Sequence, residues 1–396
     1  MPRINNPFAP LTGAIEAIRA ANVNILPAMG GAVEEMQQPD VEEREEIEAA
    51  KLGERSNKID DFAELTPPSA STQYRSTPPL SRREKHLFRF FIDGSLKTYF
   101  LMTGIEDDRA FPVELAQIGA AVMERDDRGR IRARKPGRRA LLLIPKGGSE
   151  GLSDTAWAAV ERACKGTEDM FELINTLASG EGRRSAAKDL RDVAGGKARN
   201  EMHKMELNLI HDTDVARNDD AWLILDGGVQ LNEFMNHPYM IGVAKSFSKD
   251  LVFPGSKRGR YIDLSTLLSK LPAEHRTPAF LISTERFKGR VAVWYVRLRG
   301  LRALNYPLMG VVKVELPLLG NPPSKVPTDM VDLLSRCLVA ERSVTPYGLD
   351  DRWHCHLYPI FQAEQYIKNS FVTADIVRAA MPWRALRTAG AFAGDP

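Results

Sequence analysis

Two aspartates stand where an apolar run gives way to glycine. They are Asp93 in Phe90-Phe91-Ile92-Asp93-Gly94-Ser95 and Asp226 in Trp222-Leu223-Ile224-Leu225-Asp226-Gly227-Gly228. Each run has the length and composition of a short buried strand, and Asp-Gly lets the backbone turn, so each carboxylate is expected at a strand end. Asp-Gly is also the commonest hairpin turn, and Leu96 to Leu101 would then be the returning strand after Asp93. A stretch between the two motifs adds a third acid. Met202, Met205 and Leu209 recur at helical spacing. At about 100° per residue Glu206 falls within that apolar stripe, whereas Glu201 points toward solvent. A carboxylate on an apolar face is costly unless it pairs with a base or binds a cation. Two or three hard oxygen donors converging at strand ends suit Mg²⁺ or Mn²⁺, which keep positions open for water and phosphate oxygens. Two such ions can clamp the attacking and leaving oxygens of an in-line displacement at phosphorus.

Other side chains compete for roles near these acids. His354 and His356, in Trp353-His354-Cys355-His356-Leu357-Tyr358, share a face if the stretch is extended. With Cys355 and Cys337 they also permit a zinc reading, although the motif spacing is missing. Cys164, Cys337 and Cys355 are too few for a disulfide framework, which favours a reducing cytoplasm. The segment Arg125 to Arg139 holds Arg125, Arg128, Arg130, Arg132, Arg134, Lys135, Arg138 and Arg139. It is either a solvated hairpin tip or a grip on phosphates, since so dense a like-sign cluster calls for counter-charge. Arg297, Arg299 and Arg302, and Lys257, Arg258 and Arg260, form smaller sets. Lys245, in Ile241 to Ser246, is either a scissile-phosphate neutraliser or an ordinary strand-end lysine.

The elements that must position these groups are mixed. A chain of 396 residues, 43% hydrophobic and 27% charged, is long enough for one large globular domain or two. No apolar run approaches the roughly 18 residues of a membrane span, and no signal-peptide core opens the chain. Leu11, Ala14, Ile15 and Ile18 predict a helix in a peripheral N-terminal extension, residues 1–64, whose acidic run Val41 to Lys51 is a solvated face or a partner-binding arm. Pro-, Ser- and Thr-rich residues 65–80 make a linker, 81–380 the main domain and 381–396 a tail with Met381, Trp383, Leu386 and Phe392. Strands are predicted at Leu87 to Asp93, Lys97 to Ile105 and Glu114 to Met123, with Leu141 to Ile144 a further short run. Helical character follows over Thr155 to Leu177 and over Ser185 to Leu209, with a break at Gly195-Gly196. Strands return at Trp222 to Leu225, Ala279 to Ser283, Val291 to Leu298 and Gly310 to Leu316, and helices close the chain at Met330 to Leu338 and Phe361 to Phe371. Three turn-linked strands, a helix, then strand-helix-strand is an α/β plan: a ribonuclease-H-like mixed sheet flanked by helices, with a helical N-terminal extension.

Five stretches in order resemble the NurA family of prokaryotic nucleases. They are FIDGSL at Phe91 to Leu96, LILDGG at Leu223 to Gly228, IGVAKS at Ile241 to Ser246, VVKVELP at Val311 to Pro317, and LYPI with AEQYIK between Leu357 and Lys368. The resemblance spans roughly residues 85 to 370. It implies a ribonuclease-H-like core and Mn²⁺ (or Mg²⁺, two ions) held by Asp93, Glu206 and Asp226, with a histidine near the C-terminus. His356 is the first choice for that fourth ligand, Glu364 the second and His354 the third, because Ala363-Glu364 stands where the family pattern has Ala-His. The resemblance further implies 5′ to 3′ exonuclease action on DNA and endonuclease action on single strands. It also implies a homodimer working with a hexameric HerA-type translocase in DNA end processing or phage defence. A degenerate nuclease that only regulates an ATPase, and a guide-dependent Argonaute-like or RNA-cleaving relative, are the rival expectations.

Overall fold

The computed structural model describes residues 6–28, 34–35, 62–66, 74–81, 83–147, 150–177, 190–212, 215–229, 237–247, 249, 251–254, 261–284, 287–300, 307–320, 324–343 and 354–382. Among them, thirteen strands form one mixed sheet. Three long antiparallel strands begin its core: Phe88–Glu106 (β1), Arg109–Arg125 (β2) and Ile131–Ile144 (β3). Glu172–Asn175 (β4) runs parallel beside β3. On the other side of β1 lie Trp222–Asp226 (β5) and then Met240–Ala244 (β6), both parallel to it. Phe280–Thr284 (β7), Phe287–Arg297 (β8) and Val311–Leu318 (β9) complete the far half, so the main order is β4-β3-β2-β1-β5-β6-β9-β8. β5 and β6 read as unbroken apolar runs because a central parallel strand is buried on both faces.

The strand ending expected at Asp93 does not occur. β1 pairs with β2 straight through the Asp-Gly, Asp93 opposite Ala121 and Gly94 opposite Ala120. The small residues of Ala116 to Val122 offer an uninterrupted partner, and the chain reverses instead at Asp107-Asp108, where Asp107 takes a φ of 52°. The predicted strands at Leu87 to Asp93 and Lys97 to Ile105 are therefore one strand, and Glu114 to Met123 belongs to the second.

Helices cover both faces. Leu190–His211 (α3, after Leu11–Ala20, α1, and Asp154–Ala163, α2) sets Ala194, Ala198 and Met202 against Ala116, Ile118, Leu141 and Leu143. It runs unbroken through Gly195-Gly196; each glycine costs about 1 kcal/mol in a helix, and the packed Ala194 and Ala198 on either side outweigh that. The opposite face packs Phe91, Ile224 and Ile241 against Val331, Leu334 and Leu338 of Thr328–Glu341 (α4) and Ile360 and Ala363 of Tyr358–Lys368 (α5). The continuous helix expected over Thr155 to Leu177 is split: α2 stops at Ala163, Gly166 adopts a left-handed φ of 80°, and β4 takes the open edge of β3.

The four apolar residues of α1 are buried as their spacing predicts, yet the element is not peripheral. They share a core with Tyr99, Leu101, Val113, Trp157 and Met381. Asn24–Pro27 and Glu34–Glu35 are strands paired with β1 rather than helix. The acidic run 41–51, linker residues 67–73, and Trp383, Leu386 and Phe392 lie outside the described residues. Among the described residues no helix is long and apolar enough to cross a membrane.

Candidate functional site

Parallel pairing sets Ile92 of β1 beside Leu225 of β5, so Asp93 and Asp226 follow on neighbouring strands about 4.8 Å apart in the sheet. Alternation decides where they point. Phe91 and Ile224 join the core beneath α4 and α5, whereas Phe90, Ile92, Leu223 and Leu225 belong to the opposite core. Asp93 and Asp226, two residues past Phe91 and Ile224, therefore face α5. Asp93 is buried at 5% exposure and Asp226 is half-buried. Lys245, just beyond β6, donates from Nζ to Asp226 Oδ2 at 2.9 Å. α5 crosses β1 and β2 closely, because Gly119 leaves room for Ile367: a Cβ there would meet Ile367 Cγ2 at 2.7 Å.

The electrostatics tie Glu364 of α5 into this group. Burial holds the Asp93 carboxyl well above the usual carboxylate range. The Asp226 charge adds to that, Lys245 opposes it, and Glu364 and Glu206 contribute further upward pressure. Burial works against the Lys245 ammonium, but Asp226, Asp93 and Glu364 outweigh it and raise its affinity for the proton. Burial also opposes the Glu364 charge, which is nevertheless held below the usual range by Lys368, Lys245 and His356. His356 is buried beside Phe361, ring centroids 6.3 Å apart, and His354 is half-buried. Of the three candidates for a fourth ligand, Glu364 is the one whose charge bears on Asp93.

Glu206 is buried, as its place in the apolar stripe predicts, but it approaches from the other side of the sheet. A Cβ on Gly94 would lie 2.5 Å from Glu206 Oε1, so the glutamate rests on the strand where Gly94 has no side chain. That face is opposite the one Asp93 uses. His203 Nδ1 lies 2.7 Å from Glu206 Oε2, a partner the sequence reading missed; its only signal was the i, i+3 spacing. Glu201 is buried rather than solvent-facing, since Arg139 of β3 and Lys204 bond it between helix and sheet. Among the described residues no three Asp, Glu, His or Cys side chains are grouped as ligands of one ion, and the cation beside the aspartate pair is Lys245. That holds also for His354, Cys355, His356 and Cys337. Burial pushes the Cys337 thiol up to about 12 and the Cys355 thiol upward as well.

The basic segment divides between the faces. Arg128 and Arg130 sit at the exposed β2–β3 hairpin, where Arg130 bonds Asp126 at 2.7 Å. Exposed Arg132 and Arg134 lie opposite Glu124 and Val122, which places them on the α3 side. Exposed Arg138 lies opposite Gly119, on the α5 side with Asp93, and donates to the Ser370 carbonyl at 3.0 Å. Arg125 is bound to buried Glu341. Arg297, expected to contact phosphate, is fully buried and donates to the carbonyls of Leu268, Leu271, Pro307 and Met309. Arg299 donates to the Ser343 carbonyl, and Lys257, Arg258, Arg260 and Arg302 lie outside the described residues. Compared with known proteins, the chain matches no protein-family model and no curated sequence.

Proposed function

We propose that the chain is a divalent-metal-dependent deoxyribonuclease on a ribonuclease-H-like sheet. The observation that carries this reading is the Asp93–Asp226 pair on adjacent parallel strands, Asp93 buried and Asp226 half-buried, with Lys245 bonded to Asp226 as counter-charge and the Glu364 charge bearing on Asp93. Three antiparallel strands followed by two parallel ones, in the order β3-β2-β1-β5-β6, support the fold assignment. The donors are hard oxygens, the set that Mn²⁺ and Mg²⁺ prefer. Asp93 and Asp226 would hold the ion, with Glu364 the next available ligand. A bound ion would polarise a phosphate oxygen and acidify water at that point. Lys245 and Arg138, on the same face, would meet backbone phosphates. Glu206 and His203 brace β1 from behind and set the depth of Asp93. From the NurA resemblance we also infer 5′ to 3′ exonuclease and single-strand endonuclease action, homodimerisation and a HerA-type hexameric partner, in DNA end processing or phage defence.

The test is Mn²⁺ titration against labelled single-stranded DNA, duplex DNA and RNA, with and without the translocase. Wild-type protein should cut DNA, and Asp93→Asn and Asp226→Asn should not, although both stay folded. Equal cutting by the variants, or no cutting under any condition, overturns the reading. The second reading, a non-cleaving adaptor, draws on the Lys245–Asp226 ion pair and the lack of a three-ligand group among the described residues. It predicts altered ATPase rate of the partner with DNA left intact.

A further inference from the structure

We propose that Lys245 is a built-in counter-ion of the carboxylate cluster, and that a divalent ion enters by displacing its ammonium. This rests on the metal-centre reading above. Lys245 is the cation that bonds Asp226 and bears on Asp93 beside it, whereas Glu364 has a second cation, Lys368, on its own helix. Among the described residues the fully buried cations, Arg276 and Arg297, are locked in place. Arg276 bonds both oxygens of Glu64 and one of Asp332, and Arg297 bonds four carbonyls. Among the described residues Lys245 makes a single side-chain hydrogen bond, at 2.9 Å, from a flexible four-carbon stem rooted in the bend after β6. Half-buried Lys245 can therefore leave without breaking a rigid network of the Arg276 or Arg297 kind. While it stays, it neutralises part of the charge that draws a divalent ion, and it shields the Asp226 oxygen that an ion needs.

The experiment measures Mn²⁺ binding by calorimetry and electron paramagnetic resonance on the intact chain, with Lys245→Met and Lys245→Arg alongside. Lys245→Met should bind Mn²⁺ about tenfold tighter or more, because a unit charge within contact distance of the ion is removed. Its metal-free form should melt below wild type and recover on Mn²⁺ addition, since Asp226 then lacks its resident cation. Lys245→Arg should stay at or below wild-type affinity. Asp93→Asn added to each should abolish binding, which locates the ion. If Lys245→Met binds Mn²⁺ no better than wild type, the displacement idea is overturned while the metal centre stands. If neither protein binds Mn²⁺, both fall.

Discussion

Arg276 is a fully buried cation and Lys245 a half-buried one, both held by carboxylates, and their surroundings are built in opposite ways. Arg276 meets Glu64 and Asp332, Asp332 is also clamped by Arg75 at 2.7 Å, and Glu64 accepts the Ala279 N–H at 2.8 Å. Two guanidiniums face two carboxylates. Burial opposes the Asp332 charge, but Arg75 and Arg276 prevail and hold its carboxyl below the ordinary value. This balanced set fastens residues 62–66 and the strand at Arg75–Ser76 to α4 and the sheet edge. Around Lys245 the ammonium bonds Asp226 and Lys368 bonds Glu364, and burial pushes the Asp93 carboxyl up instead. The first network keeps its carboxylates ionised, whereas the second keeps one carboxyl raised, a kind of perturbation that clusters at functional sites.

Breaking each cluster should therefore cost different things. The largest effect is expected from Arg276→Met, which strands Glu64 in a fully buried site and should remove about 3–5 kcal/mol of stability in urea unfolding. Next comes Asp226→Asn, which should leave urea stability nearly unchanged and lower DNA cleavage about a hundredfold or more, the scale of losing a ligand or its support. A smaller effect, on the order of 1 kcal/mol, appears with acid and has opposite signs in the two places. The Asp332 carboxyl is depressed, so its stabilisation exists above the usual carboxylate range and is lost as pH falls through the folded value. The gap between wild type and Asp332→Asn should close on acidification. The Asp93 carboxyl is raised, so its stabilisation is present below the usual range and lost as pH rises through the folded value. Metal-free Asp93→Asn should melt above wild type at pH 8 and lose that advantage toward pH 4. Melting curves across that range check both, and parallel behaviour of the two variants would erase the distinction between the clusters.

How much of this was legible depends on which physical rule acted alone. β5 could be read from Trp222 to Asp226 because a strand buried on both faces needs no partner to declare itself. The α1 stripe was equally plain. At Asp93-Gly94 the turn propensity lost to a continuous ladder, and no local rule weighs a ladder whose partner lies at Ala120 and Ala121. Periodicity placed Glu206 on a buried face but could not say on which side of the sheet its helix lands. The same holds for Arg132 and Arg138, whose faces follow from their pairing with β2. The resemblance ranks His356 ahead of Glu364, and no local rule corrects that order, since the position of α5 depends on Ile367 meeting Gly119 from the far end of the chain.

The smallest expected effect probes the contact joining the two sides of the site. Gly94→Ala puts a methyl where Glu206 Oε1 would lie 2.5 Å away and Cδ and Met202 Cγ each 3.0 Å away. All three belong to side chains that can shift, so the strand can persist while Glu206 swings off it. Overpacking of this kind costs about 1 kcal/mol when the neighbour gives way. Glu206→Ala in the same background should then cancel most of that cost, because the colliding carboxylate is gone. If the brace from α3 sets the depth of Asp93, Gly94→Ala should also weaken Mn²⁺ binding, and the double variant should not restore it. Full recovery of binding in the double variant would mean that Glu206 only fills space behind β1. The Asp93 side of the sheet would then be independent of the helix packed against its back.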